Sequence, residues 1–495
     1  MKIKLNFINV MIVLISIITT SCSLEEDPKY SFNSESVFKS ESTTEAVIMQ
    51  NYGWLGSFGA YGQQYHENSL ANGVYWTKTD GDRSERVVTH NNYAENPYLY
   101  NTWVAFYKVI SESNYLIDGL ESSTALSPTY KARGIAHARF LRGFAYYKLA
   151  NLFGKSVVLT QPLSKDNVNN PLSERAQVYE QALSDLIYAS ENLLDIESMA
   201  GLATKDAAAA FVAKCYWIMA SQAQGDGKQA EALKLYGLAK TYGEKVIGKF
   251  DLEPNFANLW VDHIENSPES IFQINFTLSE AGGNNLRYTF LFGPTGGRAF
   301  ASGQPSFGNI KIDRAFYDLH RGTYPDDPRI PSTYMTQWTN VNNGSAQYTY
   351  PLFNVSGTVY DMYASAPRLG ADTPTNPDYD YAALPNPVRF RWTNTSNGDR
   401  SLHPYSNKGV DVRANNQNDP KNLVIFRYAD LLLLMADVEN ELDNTPKALT
   451  YLNRVLDRAR NSGGAVATYP ETQTALSKEG LRDKIFFERM FELAG

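Results

Sequence analysis

Only two cysteines, Cys22 and Cys215, occur in 495 residues, so no framework of disulfides holds a chain of this length together. The six histidines (His66, His90, His137, His263, His320 and His403) are scattered, with no pair at zinc-ligand spacing and no HExxH. The common zinc-site signatures are therefore missing. A GxSxG elbow and a GxxxxGK[ST] loop are absent too, so nothing announces a serine hydrolase or a nucleotide-binding turn. Positive charge is in short supply: 45 Lys and Arg stand against 53 Asp and Glu, a net charge of −8, which disfavours nucleic acid as a partner. Beyond the N-terminal leader no apolar run reaches the ~18 residues a spanning helix needs. Asp80-Gly81-Asp82 with Glu85 misplaces the Gly and the late Glu of an EF-hand, so no metal and no cofactor is expected. Paired carboxylates for glycoside hydrolysis need be close only in space, so a surface polysaccharide hydrolase stays open.

What is present begins at the N-terminus. Lys2 and Lys4, an apolar run from Val10 to Ile18 and the small Thr19-Thr20-Ser21 have the order of a secretory signal. Cys22 follows directly, at the position where bacterial lipoprotein signals carry the thiol that is diacylated and becomes the mature N-terminus; Thr19 stands where such signals usually have Leu. Residues 1–21 are thus expected to be a removed signal peptide and Cys22 the lipidated residue. Ser23-Leu24-Glu25-Glu26-Asp27 resembles the surface-export tag of Bacteroidetes-type lipoproteins. Three carboxylates give no affinity for an anionic membrane, so the lipid supplies the attachment. Residues 22–40 read as a polar tether.

Amphipathic helices are expected near 42–52 and then at roughly 100–120, 131–153, 175–195, 203–222 and 228–248. Val178, Ala182, Leu186, Ala189 and Leu193 form one apolar stripe; Ala232, Leu235, Ala239, Tyr242 and Val246 form another. Such stripes are buried by pairing and stacking consecutive helices, a TPR-like arrangement without a clean 34-residue repeat. Trp103, Phe106 and Tyr107 fall on a helical stripe, and Cys215, beside Phe211 and Ile218, reads as a buried inert thiol. Ser270 to Phe276 alternates polar and apolar, a strand pattern. From 281 to 420 the chain holds 13 of its 22 prolines, a density that helices do not survive, with room for a short helix at 313–319. Helical pattern returns at 427–442, 446–460 and 478–493. The expected fold is mainly α: a helical-pair array over 41–280, a loop-rich insert with short strands over 281–420, and helices of 421–495 packing back on the array.

Several motifs occur in an order that resembles the SusD/RagB lipoproteins of Bacteroidetes-type nutrient uptake. They are Ala136-His137-Ala138-Arg139-Phe140-Leu141-Arg142-Gly143-Phe144-Ala145-Tyr146-Tyr147-Lys148-Leu149 with Leu152-Phe153-Gly154, then Ala203-Thr204-Lys205-Asp206-Ala207. Ile425 to Ala436 with Asn440-Glu441-Leu442, and finally Glu488-Arg489 with Glu492, complete the set. The resemblance implies a cell-surface, outer-membrane binding protein rather than an enzyme. Its implied partners are an oligosaccharide or polysaccharide ligand and a SusC-like TonB-dependent transporter, over which it sits as a lid. It also implies a chain that continues past Gly495 with a further Gly-His-Arg/aromatic segment. Arg139, Arg142, Arg427 and Asp430 are expected to hold helices together rather than touch ligand. A TPR-type scaffold without a glycan ligand is the remaining alternative.

Sugar faces pack on flat aromatic rings, and sugar hydroxyls need amide, carboxylate or guanidinium partners at the rim. Tyr75-Trp76, followed by Asp80, Asp82, Arg83 and Asn92, is the cluster that best fits that need. It lies between the first two long helices, where the resemblance implies that ligand platforms are built. In the insert, Tyr288 and Trp338, the latter near Asn340 and Asn342-Asn343, are the further candidates.

Overall fold

The computed structural model describes residues 34–63, 66, 73–77, 86–87, 90, 96–260, 267–276, 292–293, 308, 310–340, 346–349, 352–355, 358–361, 404–408, 410–411, 414 and 419–494. Cys22, the proposed signal and residues 22–33 of the proposed tether lie outside them; the described part, 34–40, holds a one-turn helix at Ser34–Val37 and buries Val37 and Phe38. Most described residues are helical, as the periodicity predicts, and the helix starts are set by local chemistry. After α1 (Glu41–Leu55) comes α2 (Pro97–Ser122), where Asn96 accepts the Tyr98 N–H and Pro97 occupies the first turn. Ser127 does the same for α3 (Pro128–Leu152), through the Tyr130 N–H. A reciprocal Glu174–Gln177 capping box opens α4 (Arg175–Asn192), and Thr204 caps α5 (Lys205–Gly225). These contacts satisfy backbone donors that a helix start leaves without intrahelical acceptors. The sixth helix of the array, α6 (Gln229–Glu244), follows after a short turn.

Consecutive helices pack against one another from α2 to α6, and α1 lies against α2 and α3. The approach is closest where side chains vanish. A Cβ on Gly143 would stand 2.9 Å from the Ala182 carbonyl oxygen, so α3 meets α4 there only as glycine. Beyond the array the chain forms β2 (Ser270–Ile274). This strand pairs antiparallel with β10 (Leu423–Arg427), which runs into α8 (Tyr428–Glu441). The helices α9 (Thr445–Asn461) and α10 (Lys478–Leu493) complete the return, with α8 packed on α5, α6, α9 and α10. Lys214 and Trp217 of α5 meet Asp430 and Asp437 of α8 at 2.5 and 2.6 Å. These contacts pack α8 against the array.

An aromatic core joins the two halves. Phe211 of α5 sits 5.1 to 6.0 Å from the rings of Phe140, Phe144 and Tyr147 of α3, Phe272 of β2 and Phe426 of β10. Cys215, one turn on, is buried, and burial raises its thiol pKa well above the ordinary value. Phe106 is fully buried while Trp103 and Tyr107 are half-buried and pack against the core. The stripe is therefore core at its centre and boundary at its flanks.

A buried ionic network ties the insert to the C-terminal helices. Glu492 accepts from Arg329 (2.9 Å), Arg427 (2.8 Å) and Arg458 (2.5 Å); Glu488 takes Arg329, and Glu269 takes Arg427 and Arg458. Asp327 closes the cluster on Arg329 at 2.7 Å and on His320 at 3.0 Å. The Lys408 ammonium donates to the Glu492 and Ala494 carbonyls, and burial pushes its pKa well down. Burial alone would raise the Glu492 carboxyl, but the three guanidiniums hold it at about 2.

Candidate functional site

The insert is positioned by short strands. The strand β1 (Tyr75–Thr77), from the segment between α1 and α2, pairs antiparallel with β3 (Ile310–Ile312), setting Tyr75 opposite Ile312 and Trp76 opposite Lys311. The Asp313 N–H reaches the Val74 carbonyl at 2.7 Å, and the Ile312 N–H reaches Pro404 at 3.0 Å. Asp313 then caps α7 (Arg314–Thr323), close to the short helix expected at 313–319. Beyond it, β4 (Tyr334–Met335) pairs with β9 (Tyr405–Ser406). From β4 the chain passes straight into a four-stranded antiparallel meander: β5 (Gln337–Asn340), β6 (Ala346–Thr349), β7 (Leu352–Val355) and β8 (Thr358–Asp361).

Two candidates far apart in sequence are thus carried on short strands, though of separate sheets. Trp76 lies on β1, and Trp338 lies on β5, three residues beyond Met335 of β4. Tyr75 is different. Its side chain is buried, with the ring 5.5 Å from that of Phe292 in an edge-to-face contact, and Phe292 also meets His66. The Tyr75 ring thus packs into the core of the described residues. The His66 imidazole, buried beside it, has a pKa lowered by desolvation to about 4, which keeps the ring neutral at neutral pH. The candidates Asp80, Asp82, Arg83, Asn92 and Tyr288 lie outside the described residues.

The arginines and the aspartate of the motifs divide. Arg142 holds Asp185 through Nε and Nη2 at 2.8 and 2.7 Å. Arg427 belongs to the buried network, and Asp430 is shared by Lys214 and Arg489 at 2.5 and 2.7 Å. These three tie elements together, as expected. Arg139 forms no ion pair with a described residue; its guanidinium lies 4.2 Å from the centre of the Tyr188 ring on α4. Sequence spacing puts Arg139 and Arg142 on one helix face, but only the packing distinguishes a saturated guanidinium from an unsaturated one.

Two of the cavities among the described residues stand out, and neither is lined by a glycan candidate. One of about 170 Å³ is mostly apolar and lies between α1, β2 and the 199–202 turn. The other, of about 320 Å³, is polar and lies between α2, α3 and α4.

A TPR-like array of helix pairs, closed by C-terminal helices and bearing a strand-and-loop insert, defines the class of protein. Residues 268–495 match the model of the SusD family, and residues 24–217 match a model described as starch-binding associating with outer membrane. The chain belongs to the SusD-like family. It is similar to SusD-like protein P25 of Formosa agariphila, with 26% identity over all of this chain and 88% of that one. Among solved structures it resembles a SusD homolog from Bacteroides thetaiotaomicron (TM-score 0.74, 19% identity, covering 93% of this chain and 85% of that one). It also resembles surface glycan-binding protein A from Bacteroides uniformis (TM-score 0.65, 18% identity, covering 92% and 85%).

Proposed function

We propose that this protein is a cell-surface lipoprotein of the outer membrane that captures an oligosaccharide on its insert side and delivers it, unaltered, to a SusC-like TonB-dependent transporter. The observation that most supports the reading is that Trp76 and Trp338 both sit on short strands, Trp76 on β1 paired with β3 and Trp338 on β5 just beyond the β4–β9 pair. Tryptophan offers the largest flat apolar face for a pyranose ring, and the amides beside Trp338 suit its hydroxyls. The family descriptions name binding, and a relative in the same fold is named for surface glycan binding. In this reading the array of 41–280 grips the transporter while the insert of 281–420 meets ligand.

Calorimetry against a polysaccharide panel, run beside a reducing-sugar assay, tests the reading. Binding without sugar release is expected, and Trp338→Ala should weaken it about tenfold or more, in line with the loss of an aromatic anchor, with an unchanged melting temperature. Release of reducing sugar by the purified protein would replace this reading with the hydrolase one; neither binding nor release would leave the scaffold. Attachment is tested separately. Cys22→Ser should move the protein from the membrane fraction to the soluble one, and retention in cells lacking the transporter would remove the lipid anchor.

A further inference from the structure

We propose that the polar cavity between α2, α3 and α4 is a second binding site, one that takes a hydroxylated carboxylate, that is, a sugar acid. Its floor is built and rigid. Arg142, 4% exposed, spends Nε and Nη2 on Asp185, and its Nη1 donates to the Asn114 side-chain oxygen at 2.6 Å and to the Thr160 carbonyl at 3.1 Å. Gln181 adds a third donor to Asp185 at 3.0 Å. The floor pair therefore cancels its own charge and holds three helices and the 160–162 segment in register.

One turn earlier on the same face of α3, Arg139 is left over. Its guanidinium carbon lies 4.2 Å from the centre of the Tyr188 ring, its Nε is buried without an acceptor among the described residues, and no described carboxylate oxygen stands within ion-pair distance. A half-buried guanidinium that packs on an aromatic ring and meets no described acceptor is matched by a planar carboxylate. Around the opening, Asp118 and Glu121 lie three residues apart on α2, both exposed and without an ion-pair partner among the described residues, with Ser184 of α4 and Gln161 also in the lining. These rim groups suit ring hydroxyls. The negative charge of these exposed carboxylates is screened by solvent, whereas the positive charge of the half-buried guanidinium at the wall is screened less. A simple carboxylate would match Arg139 and leave the rim idle; a neutral sugar would match the rim and leave Arg139 unpaired. A sugar acid uses both.

The site shares no residue with the insert-side tryptophans, so the two readings succeed or fail apart. The test titrates the full chain with sodium D-glucuronate, D-glucose and sodium acetate by calorimetry or ligand-observed NMR. D-glucuronate is expected to bind about tenfold or more tightly than either of the others, and Arg139→Gln to remove that advantage. Trp338→Ala should leave it intact. D-glucuronate binding no tighter than acetate, or unchanged in a folded Arg139→Gln protein, overturns the proposal. If Arg139→Gln does not fold, the exposed Asp118→Asn decides: a smaller preference for D-glucuronate over acetate supports the site, and an unchanged preference sinks it.

Discussion

Glu492→Gln is expected to lower the stability of the folded chain by about 3–5 kcal/mol, the usual cost of removing one partner from a buried ion cluster. The side chain is fully buried and is the single acceptor shared by Arg329, Arg427 and Arg458. Glutamine keeps the volume but withdraws the charge, leaving three guanidiniums to divide Glu269, Glu488 and Asp327 in a region where water cannot compensate. The change reads out as a shift in urea midpoint at constant slope. The acid limb should change with it. The folded Glu492 carboxyl sits at about 2, below its ordinary 4.5. Its contribution is therefore complete above roughly pH 4.5 and is lost as pH falls toward 2, so the glutamine variant should show a flatter slope across that window. A midpoint within the error of wild type would show that the cluster is held by its other acceptors. Lys155→Ala, which breaks an exposed pair with Glu174, is the control and should cost no more than about 1 kcal/mol.

Phe211→Ala should cost a similar amount, about 3–5 kcal/mol, for a different reason. Its ring touches five others drawn from α3, β2 and β10. Those elements belong to the array and to the C-terminal return, so the lost volume lies at the seam between them and cannot collapse without moving both. Phe211→Leu should recover most of the loss. Thermal melts of the three proteins check this, and equal melting temperatures for Ala and wild type would mean that the seam repacks.

Helix positions were legible because a 3.6-residue apolar period is a local property of the chain. The stripe of α4 and the Ala-rich face of α5 require nothing but their own residues to be read. The strand at 270–274 was equally visible from alternation. Its partner was not, since β10 lies some 150 residues away and pairing depends on the fold closing. Tyr75 shows the limit on the site. In sequence it is an aromatic beside polar loop residues, yet pairing of β1 with β3 turns its ring onto Phe292 and into the core.

The sequence by itself determined the helical array, the interruption by a proline-rich insert, the acidic balance and the family motifs, because each is carried by composition or short-range spacing. It determined as well that most motif charges are structural. Only the tertiary structure decided which of them are spent. Arg142 and Arg139 differ by three positions on one helix face, and one is saturated by Asp185 while the other meets only the Tyr188 ring. Whether a buried guanidinium has an acceptor depends on side chains from other helices, and no spacing along a single helix contains that information.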